Sequence, residues 1–130
     1  MCNKIRVLIV DDNPSFRKAI RALVEIQPDM EVAGEARCGS AAMESLEDIQ
    51  PDLILLDAKM PGMTGFEVTR QIKNLWPHMK VVLMTMFPGY RSRSINAGAD
   101  AFMTKGVPPE DVLSVIRGLG HPGSPERCVV

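Results

Sequence analysis

Cysteine is scarce in this chain. There are three, Cys2, Cys38 and Cys128, scattered and odd in number, with no CxxC or zinc-type spacing. That pattern excludes a disulfide scaffold and a structural zinc site. A reduced, cytoplasmic protein is expected. An excess of one charge is lacking too. Fifteen Lys and Arg stand against 16 Asp and Glu, a formal net charge of −1. Nothing global therefore points to nucleic acid or to an anionic membrane. No apolar run approaches the length that spans a bilayer. The chain runs from Met1 almost directly into an apolar segment, so no signal peptide is expected.

What is present is an ordinary globular composition. The 130 residues are 45% hydrophobic and 24% charged, which suits one domain with its own core. The apolar period switches repeatedly between a short run and a helical stripe. Ile5 to Val10 is an aliphatic run broken only by Arg6, as in a strand covered on both faces. Asn13 then caps a helix with Pro14 at its first position. Phe16, Ile20, Leu23 and Val24 form one face of that helix, and Pro28 ends it.

The cycle repeats. Met30 to Ala36 is a second strand, and Ala42, Leu46 and Ile49 mark a second helix. Asp52 to Asp57 is a third strand, and Thr64 and Glu67 have capping-box spacing at the start of a third helix. Lys80 to Thr85 is a fourth strand, followed by a short helix over Tyr90 to Ala97. Asp100 to Thr104 is the fifth, and Pro108 and Pro109 introduce a last helix. Strands alternating with amphipathic helices imply an α/β fold, a parallel sheet with helices on both faces. The stretch from Gly118 to Pro125 is rich in Gly and Pro and is expected to be a disordered tail. The domain is taken as residues 1–121, with a disordered tail or linker over 122–130.

In such sheets ligands bind beyond the carboxyl ends of the strands. There the polar residues gather. The first strand ends on Asp11 and Asp12, the third on Asp57, the fourth on Thr85, and the fifth runs into Lys105. Singly each has a plain explanation: Asp caps turns, Thr favours strands, and Lys is usually solvated. Together they would be independent accidents at one edge. Three crowded carboxylates raise one another's pKa. A hard divalent cation such as Mg²⁺ removes that repulsion and keeps waters that a phosphate oxygen can replace. A carboxylate can itself accept a phosphoryl group, with a lysine and a hydroxyl holding its other oxygens.

With the residues so arranged, the chain resembles a response-regulator receiver domain, the phosphoacceptor half of two-component signalling. The motifs are "VDDNP", "LLDAKMPGMTGFE", "LMTMF" and "GADAFMTK", and the likeness covers roughly residues 4–119. "VAGEARCG" and "PPEDVLSVIRG" are similar to the NarL/LuxR-type subgroup. The resemblance implies a CheY-like, flavodoxin-like (βα)5 sandwich with strand order 2-1-3-4-5. It implies Asp57 as the phosphorylated residue and Asp12 as a direct Mg²⁺ ligand. Asp11 is the acidic neighbour that acts through water, and the Lys59 carbonyl is a further metal ligand. Thr85 is the switch hydroxyl that moves to the phosphoryl group, Lys105 the lysine that pairs with that group, and Phe102 the rotating aromatic, although an aromatic in a strand is as readily plain core. The implied donor is a phosphohistidine on a sensor histidine kinase or a phosphotransfer protein. A homodimer formed on phosphorylation is a further partner the family allows. Such a chain assists its own phosphorylation and dephosphorylation but is not a turnover enzyme.

The pattern departs from the family in places. The interval between Thr85 and Lys105 is shorter than usual, and Pro88-Gly89 breaks it, so the fourth helix is expected to be cut by about half a turn to a turn. Gly106 follows Lys105 where many members place a cis proline. Lys59 and Phe87 are large at positions that shape water access in the family, which predicts slow loss of the phosphoryl group. Trp76 and Met84 read as packing, while Arg70, Lys73, Arg91 and Arg93 read as solvated surface. His78 and His121 are not spaced for a metal.

Two rivals remain at this stage. A haloacid-dehalogenase-like phosphatase also forms an aspartyl phosphate, but its DxDxT motif is missing. A receiver-like module that is never phosphorylated would not need the full acidic set with Thr85 and Lys105. Relatives of the NarL/LuxR type usually continue into a helix-turn-helix domain. This sequence reaches Val130 without one, so it reads as a stand-alone receiver or as the N-terminal part of a transcriptional regulator. It is not expected to bind DNA itself.

Overall fold

The computed structural model describes residues 4–120. Strands β1 (Ile5–Val10), β2 (Met30–Ala36), β3 (Leu53–Asp57), β4 (Lys80–Thr85) and β5 (Ala101–Thr104) alternate with five helices. These are α1 (Pro14–Glu25), α2 (Gly39–Ile49), α3 (Gly65–Leu75), α4 (Arg91–Ala97) and α5 (Pro109–Gly120). The strands pair in parallel in the order β2-β1-β3-β4-β5. The chain leaves β1 outward to β2 and returns to β3 on the other side. The switch in strand order therefore falls between β1 and β3, and ligands of such sheets bind beyond the carboxyl ends of strands at that switch.

Alternation within the strands builds two apolar layers. Ile5, Val7, Ile9, Leu53, Leu55 and Val82 pack with residues of α1 and α5. Leu8, Val10, Ile54, Leu56, Val81 and Leu83 pack with residues of α2, α3 and α4. All five residues of β3 are buried, as a central parallel strand requires. Local chemistry sets the helix starts. The Asn13 carboxamide oxygen accepts from the amides of Ser15 and Phe16 at 2.9 and 3.2 Å. At α3, Thr64 and Glu67 form a reciprocal capping box.

The fourth helix is short, as its interval predicts. Pro88–Tyr90 is a 3₁₀ turn and α4 proper has 7 residues. Other details differ from the sequence reading. β3 and β5 begin one residue late because Asp52 and Asp100 act as caps instead. Their carboxylates accept from the amides of Arg6 and Val81, both at 2.8 Å. Lys73 is no mere solvated residue: its ammonium lies 2.7 Å from Asp100 and donates to the Met79 carbonyl at 2.7 Å. Gly118 to Gly120 is helix rather than tail. Gly120 is buried so closely that a Cβ there would lie 3.0 Å from Ile5 Cγ2, so α5 packs down to its last residue. The tail over 122–130, His121, Cys2 and Cys128 lie outside the described residues. Cys38 is a free thiol. No helix among the described residues is long and apolar enough to cross a membrane.

Candidate functional site

β1 and β3 deliver their acidic ends to one place. One carboxylate oxygen from each of Asp11, Asp12 and Asp57 lies within 4.8 Å of the others. Asp11 and Asp57 are buried, 2% and 6% exposed, whereas Asp12 faces solvent. Lys105, one residue past β5, closes the cluster. Its ammonium stands 2.6 Å from Asp11 Oδ2 and 3.5 Å from Asp57 Oδ2. Its main-chain amide donates to the Thr85 carbonyl at 2.8 Å. That bond ties the end of β4 to the lysine.

The remaining contacts orient the carboxylates. Asp11 Oδ1 accepts from the Asn13 amide at 2.8 Å. Asp57 Oδ1 accepts from the Lys59 amide at 3.2 Å. Apart from Lys105, no donor reaches the buried Asp11 Oδ2. One cation thus faces three carboxylates, which leaves an excess of negative charge in a partly buried site. Burial pushes the Asp57 carboxyl up to about 6, with the negative charge of Asp11 next in weight and that of Asp12 adding to it. The Lys59 amide and Lys105 pull the other way. The donor set fits a hard, oxygen-seeking divalent cation: three carboxylates against one ammonium, with the solvent-facing Asp12 carboxylate untied.

The Asp57 shift has a consequence for stability without metal. A carboxyl whose folded value lies above 3.8 binds its proton more tightly in the folded state. The stability this proton contributes is fully present below 3.8 and is lost as pH rises through about 6. Asp57→Asn removes the buried charge, so in chelator the variant is expected to be the more stable at pH 7. That advantage is expected to shrink towards pH 4. Urea unfolding of both proteins across this range measures it, and an advantage that does not change with pH would count against the assignment.

The other sequence-derived residues are less uniform. Thr85 is 1% exposed, and its hydroxyl oxygen accepts from the Phe87 amide at 3.2 Å. Lys59 is exposed, with its ammonium 5.0 Å from the centre of the Phe87 ring. Phe102 is only partly buried, and its described contacts are the core layer and the Arg91 guanidinium, 5.3 Å from the ring centre. The arrangement brings Asp11, Asp12, Asp57 and Lys105 together, with Thr85 alongside, and shows no contact of Phe102 with them. Arg91 and Arg93 are exposed, as read, and Arg93 also lies over the Phe66 ring at 4.3 Å.

Two neighbours were not foreseen. The Phe16 ring, in the first turn of α1, lies 4.4 Å from the Lys105 ammonium. Arg17 donates to the Asp11 carbonyl at 2.6 Å. The signal was available, since helix side chains lean toward the N-terminus and long ones in the first turn reach back over the preceding loop. A groove of about 310 Å³ between α1 and α5, lined by Phe16, Ile20, Met84, Lys105 and Val112, opens beside the lysine.

Comparisons with known proteins agree with this layout. The family model for the response regulator receiver domain matches residues 7–117. Response regulator GacA of Pseudomonas aeruginosa is 36% identical over 118 residues, covering 87% of this chain and 54% of that protein. The transcriptional regulatory protein YxjL of Bacillus subtilis is 36% identical over 121 residues, covering 92% and 56%. The chain thus spans about half the length of the curated relatives it matches. Among solved structures, the receiver domain of NarL from Mycobacterium tuberculosis superposes with a TM-score of 0.84 at 29% identity, covering 89% of this chain and 95% of that one. A CheY-like receiver domain from Methanospirillum hungatei gives 0.82 at 31% identity, covering 89% and 93%.

Proposed function

This chain belongs to the response regulator receiver domain family, and on that premise we propose that Asp57 is its phosphoacceptor, working with Mg²⁺ at the acidic edge. The observation that carries the reading is the convergence of Asp11, Asp12 and Asp57 within 4.8 Å, with Lys105 against them. Asp12, Asp57 and the Lys59 carbonyl would hold the cation, and Asp11 would act on it through water. When bound, the cation neutralises the carboxylates and the incoming phosphoryl oxygens.

The chain's own residues do the rest. An Asp57 carboxylate oxygen attacks the phosphorus of a phosphohistidine on a sensor kinase or phosphotransfer protein. A P–O bond forms, the P–N bond breaks, and the leaving imidazole keeps the electron pair and takes up a proton from solvent. Lys105 needs only a small shift from Asp11 to meet a phosphoryl oxygen, because it already lies 3.5 Å from Asp57. Thr85 has the proton to donate: its oxygen accepts from Phe87, so its O–H is left for the phosphoryl group. These moves would bias the surface around β4, α4 and β5, the switching step.

The chain would act as a signalling switch in the cytoplasm, assisting its own phosphorylation rather than turning over a small substrate. It would serve either alone or as the N-terminal part of a transcriptional regulator, without touching DNA itself. A homodimer on phosphorylation fits the same reading. The test is incubation with a small-molecule phosphodonor while Mg²⁺ is titrated. Uptake of one phosphoryl group that rises with Mg²⁺ and stops in chelator is expected. Labelling indifferent to Mg²⁺ would overturn the metal assignment.

Once formed, the phosphoryl group is expected to be lost slowly. Lys59 and Phe87, both large, stand against each other, Lys59 two residues past Asp57 and Phe87 two past Thr85. Parting a half-exposed cation–π pair costs about 0.5–1 kcal/mol, so Phe87→Ala is expected to speed hydrolysis roughly two- to fivefold. Decay of the phosphorylated protein followed by intact mass measures this. A native half-life no longer than that of Phe87→Ala would contradict a shielding role for this pair.

A further inference from the structure

The peptide group joining Asp11 to Asp12 lies beyond the sheet. The Asp11 amide still donates to the Ala36 carbonyl at 3.0 Å. Its carbonyl has no strand neighbour, because β1 ends at Val10. Arg17 supplies the missing donor, with Nη1 2.6 Å from that oxygen. The guanidinium is itself anchored. Its Nε donates to Glu35 at 3.3 Å, and the two side chains are only 20% and 26% exposed. Glu35 stands opposite Ile9 in the sheet and also takes Arg21. A planar fork held at one end by the sheet thus holds, at the other, the backbone between two acidic residues.

The two aspartates differ in how they are tied. Asp11 is fixed through its amide, its carbonyl and both carboxylate oxygens. Asp12 is exposed, and its side chain has no hydrogen bond or ion pair among the described residues. The direction of its carboxylate therefore comes from the backbone that carries it. We propose that Arg17 is a positioning residue: by clamping the Asp11–Asp12 peptide it aims the Asp12 carboxylate at Asp57. This rests on the reading of Asp57 and Asp12 given above. Without the clamp the peptide plane can rotate, and the unbound Asp12 carboxylate spreads over orientations of which few face the cation. Groups that orient a metal ligand from behind typically change affinity by about 10- to 100-fold.

The test compares Arg17→Ala with Arg21→Ala. Both remove a partner of Glu35, but only Arg17 touches the Asp11 carbonyl. Mg²⁺ binding is measured by titration calorimetry, beside thermal unfolding in chelator. Arg17→Ala is expected to weaken Mg²⁺ at least tenfold and to raise the Mg²⁺ needed for half-maximal labelling by a similar factor. Arg21→Ala is expected to keep native affinity. Arg17→Lys, a single point donor, is expected to recover only part of the loss. If Arg17→Ala does not fold, Arg17→Lys against Arg21→Lys makes the same comparison. A folded Arg17 variant with native Mg²⁺ affinity, or an equal loss in the Arg21 variant, overturns the proposal. Failure of the native protein to bind Mg²⁺ or take up phosphoryl would instead sink the phosphoacceptor reading beneath it.

Discussion

Asp12→Ala is expected to abolish measurable Mg²⁺ binding and Mg²⁺-dependent phosphorylation, while Asp11→Ala is expected to weaken both without abolishing them. The asymmetry follows from the contacts. The Asp12 carboxylate is exposed and untied, so it can move onto a cation and give it a full ligand charge. Asp11 is already committed: one oxygen takes the Asn13 amide and the other the Lys105 ammonium. Its loss removes an outer partner, for which about 10- to 100-fold in affinity is typical, and loss of a direct ligand costs more. Asp11→Ala also frees Lys105 from its nearer partner. The lysine is then expected to settle on Asp57 and draw its carboxyl back down from about 6. Calorimetric Mg²⁺ titration of the three proteins measures the order. Equal affinities for both variants and the native chain would refute the division of roles.

Gly65→Ala is expected to be the most damaging small substitution in the loop after β3. A Cβ at Gly65 would lie 2.3 Å from the Asp57 carbonyl oxygen and 2.7 Å from Ala58 Cα. Both are backbone atoms, so no side chain can swing away. The start of α3 must retreat, breaking the bond from the Gly65 amide to the Ala58 carbonyl and dragging the acceptor with it. Such overpacking costs about 3 kcal/mol at the upper end of its usual range. For a domain of this size that lowers Tm by roughly 10 °C. Phosphorylation is expected to fall as well. Gly62→Ala is the control. Its φ of 80° strains any side chain, but nothing lies within 4 Å, so about 1 kcal/mol and an intact site are expected. Equal effects of the two substitutions would show that the close approach at Gly65 does not hold the site.

Much of this was legible in the sequence, for local reasons. The β1 run, the Asn13 cap and the Thr64–Glu67 box depend on near neighbours, so their spacing alone announces them. The polar strand ends were legible because a parallel sheet brings all its carboxyl ends to one side. What escaped depends on tertiary detail. Lys105 sits nearer Asp11 than Asp57, a preference no spacing encodes. The shift in β1–β2 register between Val7 and Leu8 comes with close packing at Gly34, where a Cβ would lie 2.9 Å from Ile49 Cδ1. The glycines of α5 looked like tail because of their low helix propensity, which at Gly120 is outweighed by packing against Ile5 of β1 and Leu53 of β3. Lys73 looked solvated because its partner Asp100 lies across the fold.

The most direct test of the central claim is the mass of the intact protein after exposure to Mg²⁺ and a small-molecule phosphodonor, for the native chain and for Asp57→Asn. One added phosphoryl group on the native protein and none on the variant is the predicted result. No addition to the native protein, or undiminished addition to Asp57→Asn, would contradict it.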